Sequence, residues 1–265
     1  MKIVSMAEQA VIKKDFHEVW DSKMARSTLL VLPLLLVLVI PIMFLVIICN
    51  VPPSQVNGVD KIMKMLPPEV QHFNIRQGTF YVMTNTMFPM FFLMIPLMTS
   101  SVSAASSFVG EKERGTLETL VLTPMSLPKI FRAKVIGCIA LSAAITVISF
   151  LSFAVVISVG DIMLGMPFFL NWSWLVYILL FAPGVTVFGV VFMVLVSAKS
   201  KSYIESIQTS GYIILPLIFL FLGQFTGLFS LNALHFLIIS AVVIALDAVI
   251  WSLTARSFKA EKLLR

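Results

Sequence analysis

Residues 29–48 read LLVLPLLLVLVIPIMFLVII and contain no charged or hydrogen-bonding side chain. An α-helix needs about 20 apolar residues to cross the roughly 30 Å hydrocarbon core of a bilayer, and this run supplies them. Five further apolar runs follow along the chain, with approximate bounds 81–103, 135–159, 174–196, 210–229 and 234–253. Only 12% of the residues are charged, whereas soluble domains carry about 25%. The sequence therefore predicts an all-α integral membrane protein with six transmembrane helices.

The positions of lysine and arginine predict the orientation of these helices. Sixteen of the 19 Lys and Arg residues precede the first run, follow the sixth, or lie between runs two and three or four and five. The others, Lys61, Lys64 and Arg76, follow the first run. Because cytoplasmic loops retain positive charge during insertion, we expect a multi-pass protein of the cell membrane with a cytoplasmic N-terminus (1–28), a membrane domain (29–253) and a cytoplasmic tail (254–265). Topology and anionic lipid explain the net charge of +6 without a nucleic-acid partner.

The segment before the first run has the pattern of an amphipathic helix. Its apolar residues recur at helical spacing and include Phe16, Val19 and Trp20, while Lys13, Lys14 and other polar residues occupy the opposite face. This pattern predicts an amphipathic helix that lies on the inner membrane surface, anchored by its tryptophan. The alternative is a positively charged flank that only sets the orientation of the first span.

The connection between the last two runs is short and apolar. It reads LGQFTGLFSLN, residues 222–232, and contains no charged residue. A tight hairpin is one interpretation of this segment. The other is a re-entrant break, in which irregular backbone dips into the membrane where surrounding protein shields it.

Sequence patterns for chemistry on this chain are sparse. There is no GxxxxGK[ST] phosphate-binding loop, and His17, His72 and His235 lie in three separate segments, so we predict no catalytic residue, metal ligand or bound cofactor. Asp247 is the one acid inside a predicted span. An intramembrane carboxylate is a functional candidate by default, although one near the inner boundary can instead reach an interfacial Lys or Arg.

The charged passage FVGEKERGTLETLVLTPMSLPKIFRAK, residues 108–134, separates the second and third runs. Thr116 can cap a short helix that ends before Pro124, and Gly115 gives the chain a joint just ahead of it. Within that helix Leu117, Leu120 and Val121 share one apolar face. Pro128 is suited to the first turn of the helix that follows. The passage therefore predicts a small docking helix at the inner surface, or else a solvated loop that only joins two spans.

The same passage resembles the type-2 ABC transporter permeases, in which an E-K-E-x-G-T-L-E-x-L-x-x-T-P core follows the second span and a Lys precedes the third. The matching residues are Glu111, Lys112, Glu113, Gly115, Thr116, Leu117, Glu118, Leu120, Thr123, Pro124 and Lys134. The resemblance extends to the rest of the chain, with an elbow helix around KDFHEVW, six spans and a hydrophobic last pair.

This resemblance implies a transmembrane subunit that pairs with a second permease, either another copy or a paralogue. It also implies two separate ATPase subunits on the cytoplasmic side, which bind ATP and Mg and contact the elbow helix and the passage from Glu111 to Pro124. The predicted function is ATP-driven export of a hydrophobic or amphipathic compound, such as an antimicrobial peptide, a drug or a lipid-like molecule. The alternatives are a membrane immunity or sensor protein without net transport, and an ion-coupled carrier that uses Asp247.

Overall fold

A computed structural model of the chain describes residues 5–52, 66–116, 125–197, 199–200, 202–225 and 232–257. These residues are 88% helical and contain no strand. Six of the helices are long and apolar enough to cross a membrane, which confirms the predicted fold class. In chain order the helices are α1 (Met6–Asp21), α2 (Lys23–Asn50), α3 (Ile75–Glu113), α4 (Leu127–Leu164), α5 (Trp172–Ser197), α6 (Tyr203–Gln224) and α7 (Ala233–Ser257).

The first three spanning helices extend well beyond the apolar runs. α2 begins at Lys23 rather than at residue 29, and α3 and α4 each add several residues at both ends. A hydropathy pattern measures only the part of a helix that suits hydrocarbon, whereas polar residues continue the backbone hydrogen bonding into water. α4 begins after Ser126 with Pro128 in its first turn, as predicted, because the missing N–H of proline costs nothing there.

α4 ends in a motif that we call the Gly165 cap, residues 161–166. Gly165 has φ +64°, its N–H donates to the Ile162 carbonyl at 3.2 Å, and the Met166 N–H donates to the Asp161 carbonyl at 2.8 Å. This pair of bonds is a Schellman motif, whose left-handed position favours glycine. The Asp161 carboxylate is buried and accepts the Phe169 N–H at 2.9 Å. The cap therefore closes the connection to α5 on itself.

α3 is the central helix of the bundle. In its most apolar window 78% of the residues are buried, against 17% for α7, the least buried of the spanning helices. It packs chiefly against α4 and α5, with α2 and α6 beside it, while α7 packs on α5. The helices around α3 consequently leave long apolar faces uncovered, as helices that contact lipid or another subunit do.

Aromatic rings fill the core between α3, α4, α5 and α7. Trp174 and Tyr177 on α5 are almost fully buried, and their ring centroids lie 5.5 Å apart in an edge-to-face arrangement. Rings from the neighbouring helices surround this pair: Phe92, Phe153 and Phe236. The Tyr177 hydroxyl donates to the Pro89 carbonyl, so the polar end of this buried ring is satisfied.

α1 packs against α4 and differs from the predicted amphipathic helix in one respect. Val19 was placed on the same apolar face as Phe16 and Trp20, but it is buried with Leu29, Val102 and Ile145, whereas Phe16 and Trp20 are exposed. The face that packs on the protein consists of Glu8, Val11, Asp15 and Val19. The helix is therefore held to the bundle by a mixed face of apolar and acidic residues. Its position on the membrane surface stays a prediction.

Candidate functional site

The charged passage begins inside α3, because Glu111 and Glu113 belong to the last turn of that helix. The helix ends in a second Schellman motif, which we call the Gly115 cap, residues 111–116. Gly115 has φ +69°, its N–H donates to the Lys112 carbonyl at 3.2 Å, and the Thr116 N–H donates to the Glu111 carbonyl at 3.0 Å. A left-handed glycine thus turns the chain at the position where the sequence predicts a joint.

The predicted docking helix lies outside the described residues, which stop at Thr116 and resume at Met125. The roles predicted for residues inside this gap stay predictions: Leu117, Glu118, Leu120, Thr123 and Pro124. The structure instead describes what this segment is attached to at both ends. Before it lies the Gly115 cap, and after it lies the first turn of α4.

Glu111 is completely buried and lies between two lysines. Its carboxylate oxygens are 2.6 Å from Lys14 Nζ and 2.9 Å from Lys134 Nζ. Lys134 donates to the Asp15 carboxylate at 3.1 Å and to the Ser107 carbonyl at 3.1 Å, while the Ser107 hydroxyl donates to Asp15. We call these five residues the charge network. It joins α1, α3 and α4 through charge-assisted contacts, and all its members except Lys14 are buried.

The charge network depends on the presence of all its charges. Burial raises the pKa of the Asp15 carboxyl, and the nearby Lys134 ammonium and Ser107 hydroxyl oppose that rise. Burial by itself lowers the pKa of Lys14, but the bond and charge of Glu111 outweigh it, so that the pKa lies above its ordinary value. Burying a charge without a partner costs far more free energy than burying the same charge in an ion pair. Each member therefore requires the others to stay in place.

Two further ion pairs lie at the edge of this network. Arg114 on the Gly115 cap pairs with Glu18 at 3.1 Å, and Arg132 on α4 pairs with Glu8. Both arginine side chains are about half exposed, and ion pairs so accessible to water contribute little to stability. The Ser5 backbone amide and then the Arg132 guanidinium hold the pKa of Glu8 at about 2. These pairs extend the contact between α1 and the charged passage into solvent.

Glu113 connects the same passage to a fourth helix. Its carboxylate accepts the Tyr203 N–H at 2.9 Å, which is one of the free amides at the start of α6. The Ser202 hydroxyl accepts the Glu205 N–H at 3.2 Å and caps the same end. A carboxylate stabilises the positive end of a helix, so Glu113 holds α6 to the end of α3.

The acids near Asp15 do not have the character of a metal site. Carboxylate oxygens of Asp15, Glu18 and Glu111 lie within 4.8 Å of one another. However, each of these acids is already paired with a lysine or an arginine, whereas hard cations require carboxylates that are free to coordinate. The arrangement is suited to holding helices together.

Sequence reasoning identified part of this site. The motif match included Glu111, Glu113 and Lys134, which the structure brings to one place, but Asp15, Ser107 and Glu8 were not predicted. One signal in the sequence could have found the acids. Glu8, Val11, Asp15 and Val19 follow one another at intervals of three or four residues. The two acids therefore lie on the same face of α1 as the two valines, the face that packs on the bundle.

Asp247 lies on the inward face of α7 and is 6% exposed. Its Oδ1 atom has no hydrogen-bond partner, and among the described side chains no lysine or arginine forms an ion pair with it. One turn further along, the ring of Trp251 is 5.8 Å from that of Phe131 on α4. The expected alternative, in which Asp247 reaches an interfacial cation, thus finds no such partner in the described part of the chain.

Comparison with known proteins identifies a family. A family model described as "ABC-2 family transporter protein" matches residues 53–250, which is more than half of the chain. The matched region contains the charged passage, Lys134 and Asp247, but it stops short of α1 and its Asp15. No curated protein and no solved structure matched the chain.

Proposed function

Since this chain belongs to the ABC-2 family of transporter proteins, we propose that it is the permease subunit of an ATP-driven exporter of hydrophobic or amphipathic compounds. Membership of this family supports the view that the chain is a multi-pass membrane protein and a permease component of an ABC transporter. It also supports association with ABC ATPases. The proposal adds a second permease subunit, identical or paralogous, and ATP and Mg on the partner ATPases. It also adds cytoplasmic termini and an antimicrobial peptide, drug or lipid-like molecule as the exported substrate.

The charge network is the observation that carries this proposal. An ATPase that pushes on residues 117–124 must move spanning helices, and a flexible connection would absorb the push. Instead, Glu111 is fully buried between Lys14 and Lys134, and Glu113 binds the start of α6. A displacement at the end of α3 is therefore transmitted to α1, α4 and α6 together. This is the arrangement that energy transfer from another chain requires.

The composition of the spanning helices supports an apolar substrate class. Residues 29–48 in α2 and 81–103 in α3 contain no charged side chain, and neither do residues 210–224 in α6. By analogy with the family, helices α2, α3 and α6 line the path. An uncharged lining favours hydrophobic or amphipathic compounds over ions and sugar chains, which need polar partners along their route.

Copurification with an ABC ATPase, followed by assay in lipid discs, tests the proposal directly. We expect an ATPase carrying a phosphate-binding loop to copurify with the chain and to be stimulated by an amphipathic substrate. The double variant Glu111→Gln/Glu113→Gln should lose most of that stimulation, because both anchors of the passage are weakened. The matched control is Glu69→Gln, an exposed acid before α3. Absence of any bound ATPase, or equal stimulation of the double variant and the control, would refute the coupling role.

A second candidate function, an ion-coupled carrier, draws on Asp247, which is buried and forms no ion pair with the described side chains. It predicts that a pH gradient alone drives uptake or release of substrate by reconstituted vesicles without ATP. The Asp247→Asn variant, which keeps the size of the side chain, should abolish that activity. Transport that needs ATP and survives Asp247→Asn would exclude this candidate and leave the exporter.

A further inference from the structure

A crevice of about 240 Å³ lies between α1, α3 and α4, next to the charge network. Its walls come mainly from two helices: Ile12, Phe16 and Val19 on α1, and Gly137, Ala140 and Ala144 on α4. The three small residues of α4 are spaced by three and four positions, so they form one groove along a helix face. α1 covers this groove incompletely, and the crevice is the space that remains.

The crevice has the character of a site for hydrocarbon. Its charged residue, Asp15, and the neighbouring Ser107 are already bonded to each other and to Lys134, so they have little capacity to hold water there. An ordered water needs two to four polar partners, whereas apolar cavities stay dry or take up apolar molecules. A cavity of about 150 Å³ is enough to bind benzene, so this larger crevice has room for several methylene groups.

The open side of the crevice continues into a surface that suits lipid. Phe16, Ala140 and Ala144 at the mouth are exposed, and the Trp20 ring stacks on Phe16 with centroids 5.9 Å apart. Beyond the mouth, large exposed apolar side chains continue along α4 at helical spacing: Val147, Ile148, Leu151 and Val155. Lys13, exposed and one turn from Phe16, is placed to meet a phosphate group.

We propose that this crevice is a lipid site that takes one acyl chain of a bilayer phospholipid, inserted between α1, α3 and α4. The acyl chain enters from the exposed strip of α4, and the end of the acyl chain lies beside Cys138, which is buried in the crevice wall. The lipid fills the space that the small residues of α4 leave under α1. This site does not depend on the proposed transport activity, so either can fail without the other.

Photo-crosslinking of the full chain in lipid discs tests the site. The probe is phosphatidylcholine with a diazirine in its acyl chain, and mass spectrometry locates the adducts. We expect adducts within residues 137–144. Ala144→Phe should lower their yield about tenfold, since excluding roughly two methylene groups from an apolar site weakens binding by that factor. Ala143→Phe is the control, because residue 143 is exposed on the same helix but does not line the crevice.

The reactivity of Cys138 gives a second readout that needs no substitution in the crevice. The chain has two cysteines, so Cys49→Ser leaves Cys138 as its only thiol. Adding phosphatidylcholine to the delipidated protein in detergent should slow alkylation of Cys138 by N-ethylmaleimide several-fold. Equal alkylation rates with and without lipid would overturn the proposal. So would adducts that Ala144→Phe leaves unchanged, or crosslinks that show a second copy of the chain covering the mouth.

Discussion

The Gly115 cap and the Gly165 cap are built from the same backbone motif and have opposite surroundings. In each, a left-handed glycine ends a spanning helix, and the residue four positions earlier is a buried acid whose carbonyl accepts the closing bond. The carboxylate of Asp161 accepts the Phe169 N–H, eight residues away. The carboxylate of Glu111 instead meets Lys14 and Lys134, on two other helices.

This difference shows how one helix ending can serve two purposes. At the Gly165 cap the acid stabilises its own connection, and no ion pair to it is found among the described residues. At the Gly115 cap the acid is a junction of three helices, so a movement there cannot remain local. The backbone motif determines how the helix stops, while the partner of the buried carboxylate determines whether neighbouring helices are involved.

The largest expected effect comes from removing the shared cation at the Gly115 cap. Lys134→Met leaves Asp15 and Glu111 buried without it, and breaking a buried pair costs about 3–5 kcal/mol of unfolding free energy. Unfolding in mixed detergent micelles measures this loss. Lys129→Met is the matched control, because residue 129 is exposed on the same helix. If the two variants are equally stable, the charge network does not hold the helices together.

A smaller loss is expected when the acid of the Gly165 cap is removed. Asp161→Leu leaves the buried Phe169 N–H without its acceptor, which costs about 1–3 kcal/mol. Asp161→Asn can still accept that bond and should lose less. Neither variant should change ATP-driven transport per folded molecule, measured in sealed lipid vesicles. A transport defect in folded Asp161→Asn would remove the functional distinction between the two caps.

Alanine substitutions at the two cap glycines test the difference between the caps, because the backbone penalty is the same at both sites. A Cβ added at Gly115 or Gly165 meets no atom within 4 Å, so the penalty is only the left-handed backbone, about 1–2 kcal/mol. We expect equal losses of thermal stability for Gly115→Ala and Gly165→Ala. Coupled ATPase activity should fall only in Gly115→Ala. Equal activity in both variants would mean that the turn at Gly115 has no role in coupling.

The smallest expected effect is on the pH dependence of stability. It concerns the ion pair of Glu8 with Arg132, at the edge of the charge network. The pKa of Glu8 is lowered from 4.5 to about 2 in the folded protein. A lowered carboxyl pKa adds stability that is present above pH 4.5 and is lost as the pH falls through about 2. Arg132→Gln should therefore weaken the dependence of the thermal midpoint on pH between these limits. An unchanged pH profile would show that the backbone and side chain of Ser5 lower this pKa without Arg132.

Hydropathy predicted the six spans because long uncharged runs have few alternatives to crossing a membrane. It underestimated the lengths of the helices, since the last turn of α3 contains Glu111 and Glu113, which no apolar window includes. Pro128 allowed the start of α4 to be predicted, because proline is suited to a first turn.

The site was predicted less completely because its chemistry joins distant segments. Asp15 and Lys134 are 119 positions apart, and nothing local indicates that they meet. The amphipathic pattern of α1 gave no role to Asp15, which is buried in an ion pair with Lys134 and accepts a hydrogen bond from Ser107. Asp161 lies just after the third apolar run and was assigned no role, since a carboxylate that caps a connection has no distinctive pattern in sequence.

α4 is one helix of 38 residues without a π-helical turn, unlike α2, α3 and α5, which each contain at least one. At about 1.5 Å per residue it is roughly 57 Å long, nearly twice the thickness of a bilayer core. Lys134 lies near its start and contacts acids of α1 and α3, whereas Asp161 in its last turn accepts a hydrogen bond from the connection to α5. A continuous helix of this length amplifies small rotations: a tilt of about 5° about its start would displace its far end by roughly 5 Å.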